Sequence, residues 1–351
     1  MSQGSTHQDE LQRPRKKKRR GLAIIISVLA VVLVAALVAG LYVLNLGRTF
    51  DRNTETLPTV FPSEDVRPVE REESKDAVNI LLLGSDTRAE RDEDEDAEGF
   101  ATLPNGGRSD TLMMVHIPTN REAIYVTSIM RDTWLDIPGV GTAKINRAFA
   151  SGGVPKAVET LEGLFGVRID HVAAIDFEGF KGLTDALGGV TINNPIAFRQ
   201  SLTNGMYFPQ GQQTLNGEQA LAFVRERKSF PGSDYQRVKN QQLFVRAMLG
   251  QILSRDTLTN PARISDVISE ISPFIAVDDS LDSSTVAKLA SGMLNIRTSD
   301  MEFFTLPNNG PGRSADGQSI VIPDMQMIEK FGTALQEDKV DEFVASTDLS
   351  R

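Results

Sequence analysis

The feature that most limits how this chain can fold is an uncharged, apolar run near its start. From Gly21 to Gly47 no residue carries a charge, and most are Val, Leu, Ile or Ala. As a helix rising about 1.5 Å per residue, the run would be about 40 Å long, enough to cross a hydrocarbon core of about 30 Å. Because a signal-peptide core has only about 7–15 residues and a cleavage motif, the run predicts an uncleaved transmembrane signal-anchor helix at residues 21–46.

A cluster of basic residues directly before this run sets the expected topology. Residues 1–20 hold seven Lys and Arg side chains but only two carboxylates. The positive-inside rule therefore predicts a basic cytoplasmic tail at 1–20, a single pass through the cell membrane and an extracytoplasmic C-terminal domain. Binding of DNA or anionic lipid by the basic cluster is the alternative interpretation.

The rest of the chain is acidic and lacks the residues that several enzyme classes need. Residues 21–351 hold 30 Lys and Arg against 45 Asp and Glu, which argues against a nucleic-acid-binding domain and predicts no nucleic-acid partner. The chain has no Cys and three His, so thiolate catalysis, disulfides and zinc motifs of the HExxH kind are excluded. Any chemistry must then use carboxylates, arginines, hydroxyls and a hard metal ion.

Composition divides the part after the anchor into three segments. Residues 47–76 are polar, carry Pro58, Pro62 and Pro68, and are expected to form an extracytoplasmic stalk without a core. Folded sequence begins at Val78, so a folded domain is expected at 77–345, followed by a short tail at 346–351.

Alternating helix-like and strand-like segments predict an α/β domain with a mixed central β-sheet flanked by helices on both faces (α-β-α). The first strand starts at Val78 and is apolar on both sides, as a central buried strand should be. A polar loop leads to a strand near 110–117, and a turn at Pro118-Thr119-Asn120 leads to a strand near 123–129. Because sequential strands are commonly neighbours, these three are expected to form an antiparallel meander.

The meander would gather charged residues at one edge of the sheet. Asp86 ends the first strand, Arg108 and Asp110 begin the second, and Arg131 and Asp132 end the third. Carboxylates suit Mg²⁺, and guanidiniums suit phosphate oxygens, so the pattern predicts a site for a divalent cation and a polyanion. The alternative is a surface ion-pair cluster without a function.

A second set of charged residues lies later in the chain. Arg225 and Arg227 share a side if the segment is extended, and the S-x-x-Q pattern from Ser233 predicts a capping box that opens a helix. On that helix Arg237 and Gln241 continue an apolar, inward-facing stripe. An inward Arg needs an anion, which would be a ligand or a structural salt bridge to Asp234 or Asp176.

Several apolar side chains could line a slot for a lipid tail or could simply be core. They are Leu164, Phe165, Phe177, Phe180, Phe244 and Met248.

Five ordered motifs carry a resemblance to a known family. They are NILLLGSDTR (79–88), GRSDTLMMVHI (107–117), TSIMRDTWLDIPG (127–139), FVRERK (223–228) and SDYQRVKNQQ (233–242). Their order, together with the basic tail and the apolar run, resembles the LytR-CpsA-Psr family of bacterial cell-envelope proteins over roughly residues 77–345.

The resemblance implies a membrane-anchored, Mg²⁺-dependent phosphotransferase. Such an enzyme ligates an anionic glycopolymer from a polyprenyl-pyrophosphate carrier onto peptidoglycan and releases polyprenyl phosphate. Carried over by motif, Asp86 and Asp110 would bind Mg²⁺, and Asp132 and Asp234 are candidates for the catalytic base. Arg108 and Arg131 are expected to be catalytic as well as substrate-binding. The expected pyrophosphate-binding residues are Arg88, Arg108, Arg131, Arg225, Arg227, Arg237 and Gln241.

Three other functions stay open from the sequence. A non-catalytic binder of lipid pyrophosphate or glycan would use the same arginines, and a pyrophosphatase would use water in place of the sugar hydroxyl. An envelope-linked transcriptional attenuator is the third, although the cytoplasmic tail is too short to fold.

Overall fold

The computed structural model describes residues 45–86, 108–201, 205–254, 257 and 260–347. By contacts the chain divides into two units, Met1–Gly47 and Arg48–Arg351, and the second contains the α/β domain. The predicted anchor lies outside the described residues except for its last two positions. In the described ranges, no helix combines the length and the apolar character that crossing a membrane requires.

The strands and helices of the domain follow one another in mixed order. The strands are β1 (Glu55–Thr56), β2 (Val78–Asp86), β3 (Arg108–Ile117), β4 (Ile124–Ile129), β5 (Trp134–Ile137), β6 (Gly141–Lys144), β7 (His171–Asp176), β8 (Val190–Asn194), β9 (Phe198–Arg199), β10 (Tyr207–Phe208), β11 (Gly211–Leu215), β12 (Ala276–Val277), β13 (Met301–Thr305), β14 (Asn308–Arg313) and β15 (Ser319–Pro323). The helices are α1 (Asn146–Phe165), α2 (Phe177–Ala186), α3 (Gly217–Arg225), α4 (Ser233–Ile252), α5 (Pro261–Ile271), α6 (Ser283–Gly292), α7 (Met325–Gln336) and α8 (Val340–Ser346).

The central sheet is mixed and has the strand order β1-β12-β7-β2-β3-β4-β13. The strands β2, β3 and β4 pair antiparallel, so the predicted meander is confirmed. The parallel partners are β7 beside β2 and β13 beside β4. The apolar residues of β2 therefore lie in the interior of the sheet, as their pattern predicted.

Helices cover both faces of this sheet, which confirms the predicted α-β-α arrangement. Along β3, Leu112 and Met114 face a core that contains Phe165, Phe331 and Phe343 of α1, α7 and α8. The alternate residues Met113 and Val115 face a second cluster, against which Val245 and Leu249 of α4 pack. The period of two along the strand thus separates the two cores.

The segment expected to be a stalk is packed against the domain. β1 pairs with β12 at the edge of the sheet, and Leu57 and Val60 are buried in the main core. The Arg67 guanidinium donates to the Glu162 carboxylate at 2.7 Å, and Glu162 is 1% exposed. The polar composition of 47–76 was therefore misleading, because two apolar residues and one buried ion pair attach the segment.

The helix α1 begins at Asn146. Its first part ends in a kink at Gly152 and Gly153, and the regular helix resumes just before Pro155. Gly153 has φ +68°, a left-handed conformation that a side chain would disfavour, so the Gly-Gly-x-Pro sequence permits the kink.

The buried carboxyl of Asp170 predicts a pH dependence of stability. Burial raises the pKa of Asp170 to about 6, although the backbone N–H of Asn79 donates to it at 2.7 Å. Since the folded state then binds the proton more tightly than the unfolded chain, this group's contribution to stability is lost as pH rises from about 4 through about 6.

We expect Asp170→Asn to keep its stability as pH rises, because the amide does not ionise and its oxygen can still accept from Asn79. The variant should gain about 3 kcal/mol relative to the wild type between pH 4 and pH 8, as two pKa units correspond to about 2.7 kcal/mol. Urea unfolding at the two pH values, followed by the fluorescence of the single Trp, measures the difference. An equal effect of the substitution at both pH values would contradict the prediction.

Candidate functional site

The strand register gathers four chain segments at one edge of the sheet. Asp86 at the end of β2 pairs with Arg108 at the start of β3, and Ser85 pairs with Asp176 at the end of β7. Arg131 follows β4 at the same edge. Between the partners of Gly84 and Ser85 the register shifts, so that Asp110 is the extra residue of a β-bulge. Bulges of this kind re-aim side chains near active sites.

The metal candidates can be located by backbone only. Asp86, Arg108 and Asp110 have described strand positions, but their side chains lie outside the described part, and so does the whole of Arg88. Asp86 and Asp110 share one strand pair, and their carboxylates are the hard oxygen donors that Mg²⁺ prefers. In residue type and backbone position these two aspartates therefore fit a magnesium ion. Among the described side chains, no group of three or more His, Asp or Glu is arranged to hold a metal.

A cavity of about 420 Å³ opens at this edge and runs under α4. Arg237 and Gln241 lie in the second and third turns of α4, while Phe244 and Met248 line the cavity further along the same helix. At about 1.5 Å per residue, Arg237 and Met248 are separated by about 16 Å along the helix axis. The cavity is therefore polar at the sheet edge and apolar beyond it.

The polar end of the cavity contains five of the predicted substrate-binding residues. They are Arg131, Arg225, Arg227, Arg237 and Gln241, and Lys228 lines the cavity beside them. Gln241 Nε2 donates to Thr111 Oγ1 at 3.0 Å, which connects α4 to the bulged strand.

Six apolar residues were candidates for a slot or for the core, and four of them line this cavity. Phe177, Phe180, Phe244 and Met248 line the cavity. Leu164 and Phe165 instead pack in the core on the opposite face of the sheet, with Phe165 fully buried there.

Two carboxylates hold the arginines in place. The Asp234 carboxylate lies 3.1 Å from Arg227 Nε and accepts a hydrogen bond from Arg237 at 3.1 Å. The predicted structural salt bridge of Arg237 therefore forms within the cavity wall. α4 begins at Ser233 with Gly232 at the cap position, and Gln236 donates to Asn240. The predicted capping box is therefore wrong: the chain enters the helix one residue earlier than its sequence pattern indicates.

Asp132 is the other candidate base, and it too is paired with cations. Its carboxylate lies 3.3 Å from Lys144 Nζ and 3.7 Å from Arg131 Nε. Its backbone carbonyl accepts from the Val321 N–H at 2.8 Å, which attaches the β14–β15 hairpin beside the site. Both carboxylates are thus positioned to orient cations, and the assignment of a catalytic base stays a prediction.

Arg225 is held by a ring and by a helix end. Its guanidinium carbon lies 4.2 Å from the centroid of Phe177, and it is the last residue of α3. The negative end of the helix dipole and the electron-rich face of the ring both stabilise a cation at this position. At the other end of α3, Asn216 and Gln219 form a capping box.

Sequence reasoning missed two residues at this site. Lys144 pairs with Asp132, and Glu226 lies buried between Arg225 and Arg227 on the chain. For Glu226 alone a signal was available, because in an extended Arg-Glu-Arg sequence the middle side chain points away from its neighbours.

Comparisons with known proteins agree with this architecture. The model of the LytR_cpsA_psr family matches residues 43–337. "Polyisoprenyl-teichoic acid–peptidoglycan teichoic acid transferase TagU" of Oceanobacillus iheyensis is 33% identical over 320 residues, which are 87% of this chain and 91% of that protein. "Cell wall biosynthesis protein LcpA" of Corynebacterium glutamicum is 29% identical over 73% of this chain, which spans 55% of that protein. The crystal structure of B. subtilis TagV superposes with a TM-score of 0.63 at 26% identity, covering 76% of this chain and 98% of TagV.

Proposed function

Since the chain belongs to the LytR-CpsA-Psr family, we propose that it is a transferase that ligates an anionic glycopolymer from a polyprenyl-pyrophosphate carrier onto peptidoglycan. The observation that carries the proposal is the cavity with arginines at one end and apolar side chains along the rest. A relative with 33% identity is named for the transfer of teichoic acid from a polyisoprenyl carrier to peptidoglycan, which supports the same reaction class here.

The two ends of the cavity match the two ends of such a substrate. A pyrophosphate diester carries two negative charges, and guanidinium forks bind its oxygens in pairs. The prenyl tail is apolar and would bind along Phe180, Phe244 and Met248. Each methylene group of the prenyl tail that leaves water on binding contributes about 0.8 kcal/mol to affinity.

The reaction is a phosphoryl transfer in which one P–O bond forms and one breaks. A sugar hydroxyl of the acceptor attacks the phosphorus that bears the glycopolymer, and the bridging oxygen leaves with polyprenyl phosphate. The hydroxyl proton is released to a base or to water. Such transfers depend on positioning and on neutralising charge at the phosphoryl oxygens, which Arg131, Arg225 and Arg237 are placed to do.

Mg²⁺ is part of the proposal and would be held by Asp86 and Asp110. When bound, it would neutralise negative charge on the pyrophosphate oxygens.

We expect Asp110→Ala to weaken the binding of Mn²⁺, a paramagnetic substitute for Mg²⁺, by at least tenfold, because one of two carboxylate ligands is lost. Electron paramagnetic resonance titration measures the free Mn²⁺ without any need for turnover. Equal affinity in both proteins would contradict the assignment.

The proposed location follows from the predicted topology. The basic tail would lie in the cytoplasm, residues 21–46 would cross the membrane once, and the domain would lie outside. The cavity would then meet its lipid-linked substrate on the side of the membrane where peptidoglycan is found.

The function is tested with the full chain in detergent micelles, a short-chain polyprenyl-pyrophosphate glycan and Mg²⁺. Release of polyprenyl monophosphate is followed with and without peptidoglycan fragments, and the acceptor is examined for attached glycan. Release that yields a glycan-linked acceptor supports the transferase. Release to water alone would identify a pyrophosphatase, and tight binding without release under any condition would identify a binder.

A further inference from the structure

A buried carboxylate lies on the chain between two of the cavity's arginines. Glu226 is 0% exposed. Its oxygens accept from the Ser201 backbone N–H at 2.7 Å, the Ser229 backbone N–H at 2.8 Å and the Ser201 hydroxyl at 2.9 Å. The carboxylate therefore connects the end of α3 to two other segments of backbone.

The backbone at Glu226 directs its side chain away from those of its neighbours. Glu226 has φ −64° and ψ 131°, an extended conformation in which successive side chains point to opposite sides. Arg225 and Arg227 both line the cavity, whereas Glu226 contacts Ser201 and Ser229. Ser229 also donates its hydroxyl to the carbonyl of Arg199, which joins the two segments that Glu226 contacts.

Glu226 carries a negative charge at neutral pH. Burial alone would raise the pKa of Glu226, but the hydrogen bonds from Ser201 and Ser229 outweigh burial and hold the pKa below its ordinary value.

We propose that Glu226 is a positioning residue that holds Arg225 and Arg227 toward the cavity by anchoring the chain between them to Ser201 and Ser229. The role in catalysis rests on the proposed phosphoryl transfer, because the two arginines would neutralise charge on the transferring group. The anchor keeps both guanidiniums oriented before the substrate arrives, so that they need not reorganise during the reaction.

The test substitution is Glu226→Gln in the full chain in detergent micelles. The amide has the shape of the carboxylate, but its NH₂ group faces N–H and O–H donors and its charge is lost. We expect kcat for polyprenyl phosphate release to fall by about 10- to 100-fold, while KM changes less than about threefold, because charge stabilisation in the transition state is impaired more than ground-state binding.

Glu162→Gln is the matched control. Glu162 is also a buried glutamate held by a backbone N–H, that of Ile169 at 2.8 Å, but it lies in the main core and pairs with Arg67. The Glu162→Gln substitution should lower the free energy of unfolding without lowering kcat of the folded protein. Equal kcat losses in both variants would reduce Glu226 to a structural residue and overturn the proposal.

One measurement does not depend on turnover. The Nε–H resonances of Arg225 and Arg227, assigned with lysine substitutions, should shift or broaden in Glu226→Gln and keep their positions in Glu162→Gln. Unchanged arginine resonances in Glu226→Gln would overturn the proposal even if activity fell.

The same measurements separate this inference from the proposed function. A wild-type protein that releases no polyprenyl phosphate contradicts the transferase, and the arginine resonances then decide the anchoring role alone. If Glu226→Gln fails to fold, Ser201→Ala removes the hydroxyl that donates to the intact carboxylate and should shift the same resonances by a smaller amount. No shift in that folded variant would count against the anchor.

Discussion

Replacing Arg225 by Ala is expected to lower the rate of polyprenyl phosphate release by about 10²–10³-fold, with the fold intact. Removing one preorganised donor to developing oxyanion charge has this magnitude in other enzymes. Arg225 lies over Phe177 at the polar end of the cavity, where the pyrophosphate would bind. Steady-state kinetics of the full chain with a short-chain polyprenyl-pyrophosphate glycan measure the loss.

The chain offers a matched control in Arg246. Its guanidinium carbon lies 4.8 Å from the centroid of Phe303, so Arg246→Ala also removes a stacked arginine, but one that is not among the residues lining the cavity. Arg246→Ala should retain activity within about threefold. A similar loss in both variants would show that the effect comes from stability, and normal activity of Arg225→Ala would remove Arg225 from the proposed site.

Replacing Arg67 by Ala is expected to destabilise the domain by about 3–5 kcal/mol, because the substitution leaves a buried charge without its partner. Arg67 makes hydrogen bonds to both oxygens of Glu162 and donates to the Ile169 carbonyl at 2.7 Å. The side chains of Arg67 and Glu162 are 9% and 1% exposed, so water cannot replace the lost contact. Urea unfolding of the full chain, monitored by the fluorescence of Trp134, measures the change.

The control for Arg67 lies in the same segment. Glu72 forms an ion pair with Lys75, but its side chain is 82% exposed. Exposed pairs contribute at most about 1 kcal/mol, so Glu72→Ala should have little effect on stability. If Arg67→Ala were as mild as Glu72→Ala, residues 48–76 would behave as the loosely attached stalk that their composition suggested.

Much of the sheet could be predicted because its information is local. The apolar run from Val78 and the turn before β4 are readable in short windows, and they led to the meander that the register shows. The helical stripe from Arg237 to Met248 likewise follows from the period of 3.6 residues. The structure places Arg237, Gln241 and Met248 along one cavity wall.

Predictions that needed knowledge of a distant partner were less successful. The polar segment 47–76 looked unable to fold because its attachments, Arg67 to Glu162 and β1 to β12, lie far away in sequence. The ion pair of Asp132 with Lys144 was not predicted, because the two residues meet only in the folded chain. Glu226 received no role because its partners, Ser201 and Ser229, belong to loops.

The sequence by itself determined the order of the elements, the face of each strand and helix that is apolar, and the family resemblance carried by five motifs. These features are repeated along single elements, so periodicity and motif order are sufficient to read them. Only the tertiary structure decided that α2, α3 and α4 enclose one cavity at the sheet edge, that Asp234 pairs with Arg227 and Arg237, and that Glu226 is buried against Ser201. Such pairings arise when elements far apart in the chain pack together, and no local period of the sequence encodes which buried charge will meet which partner.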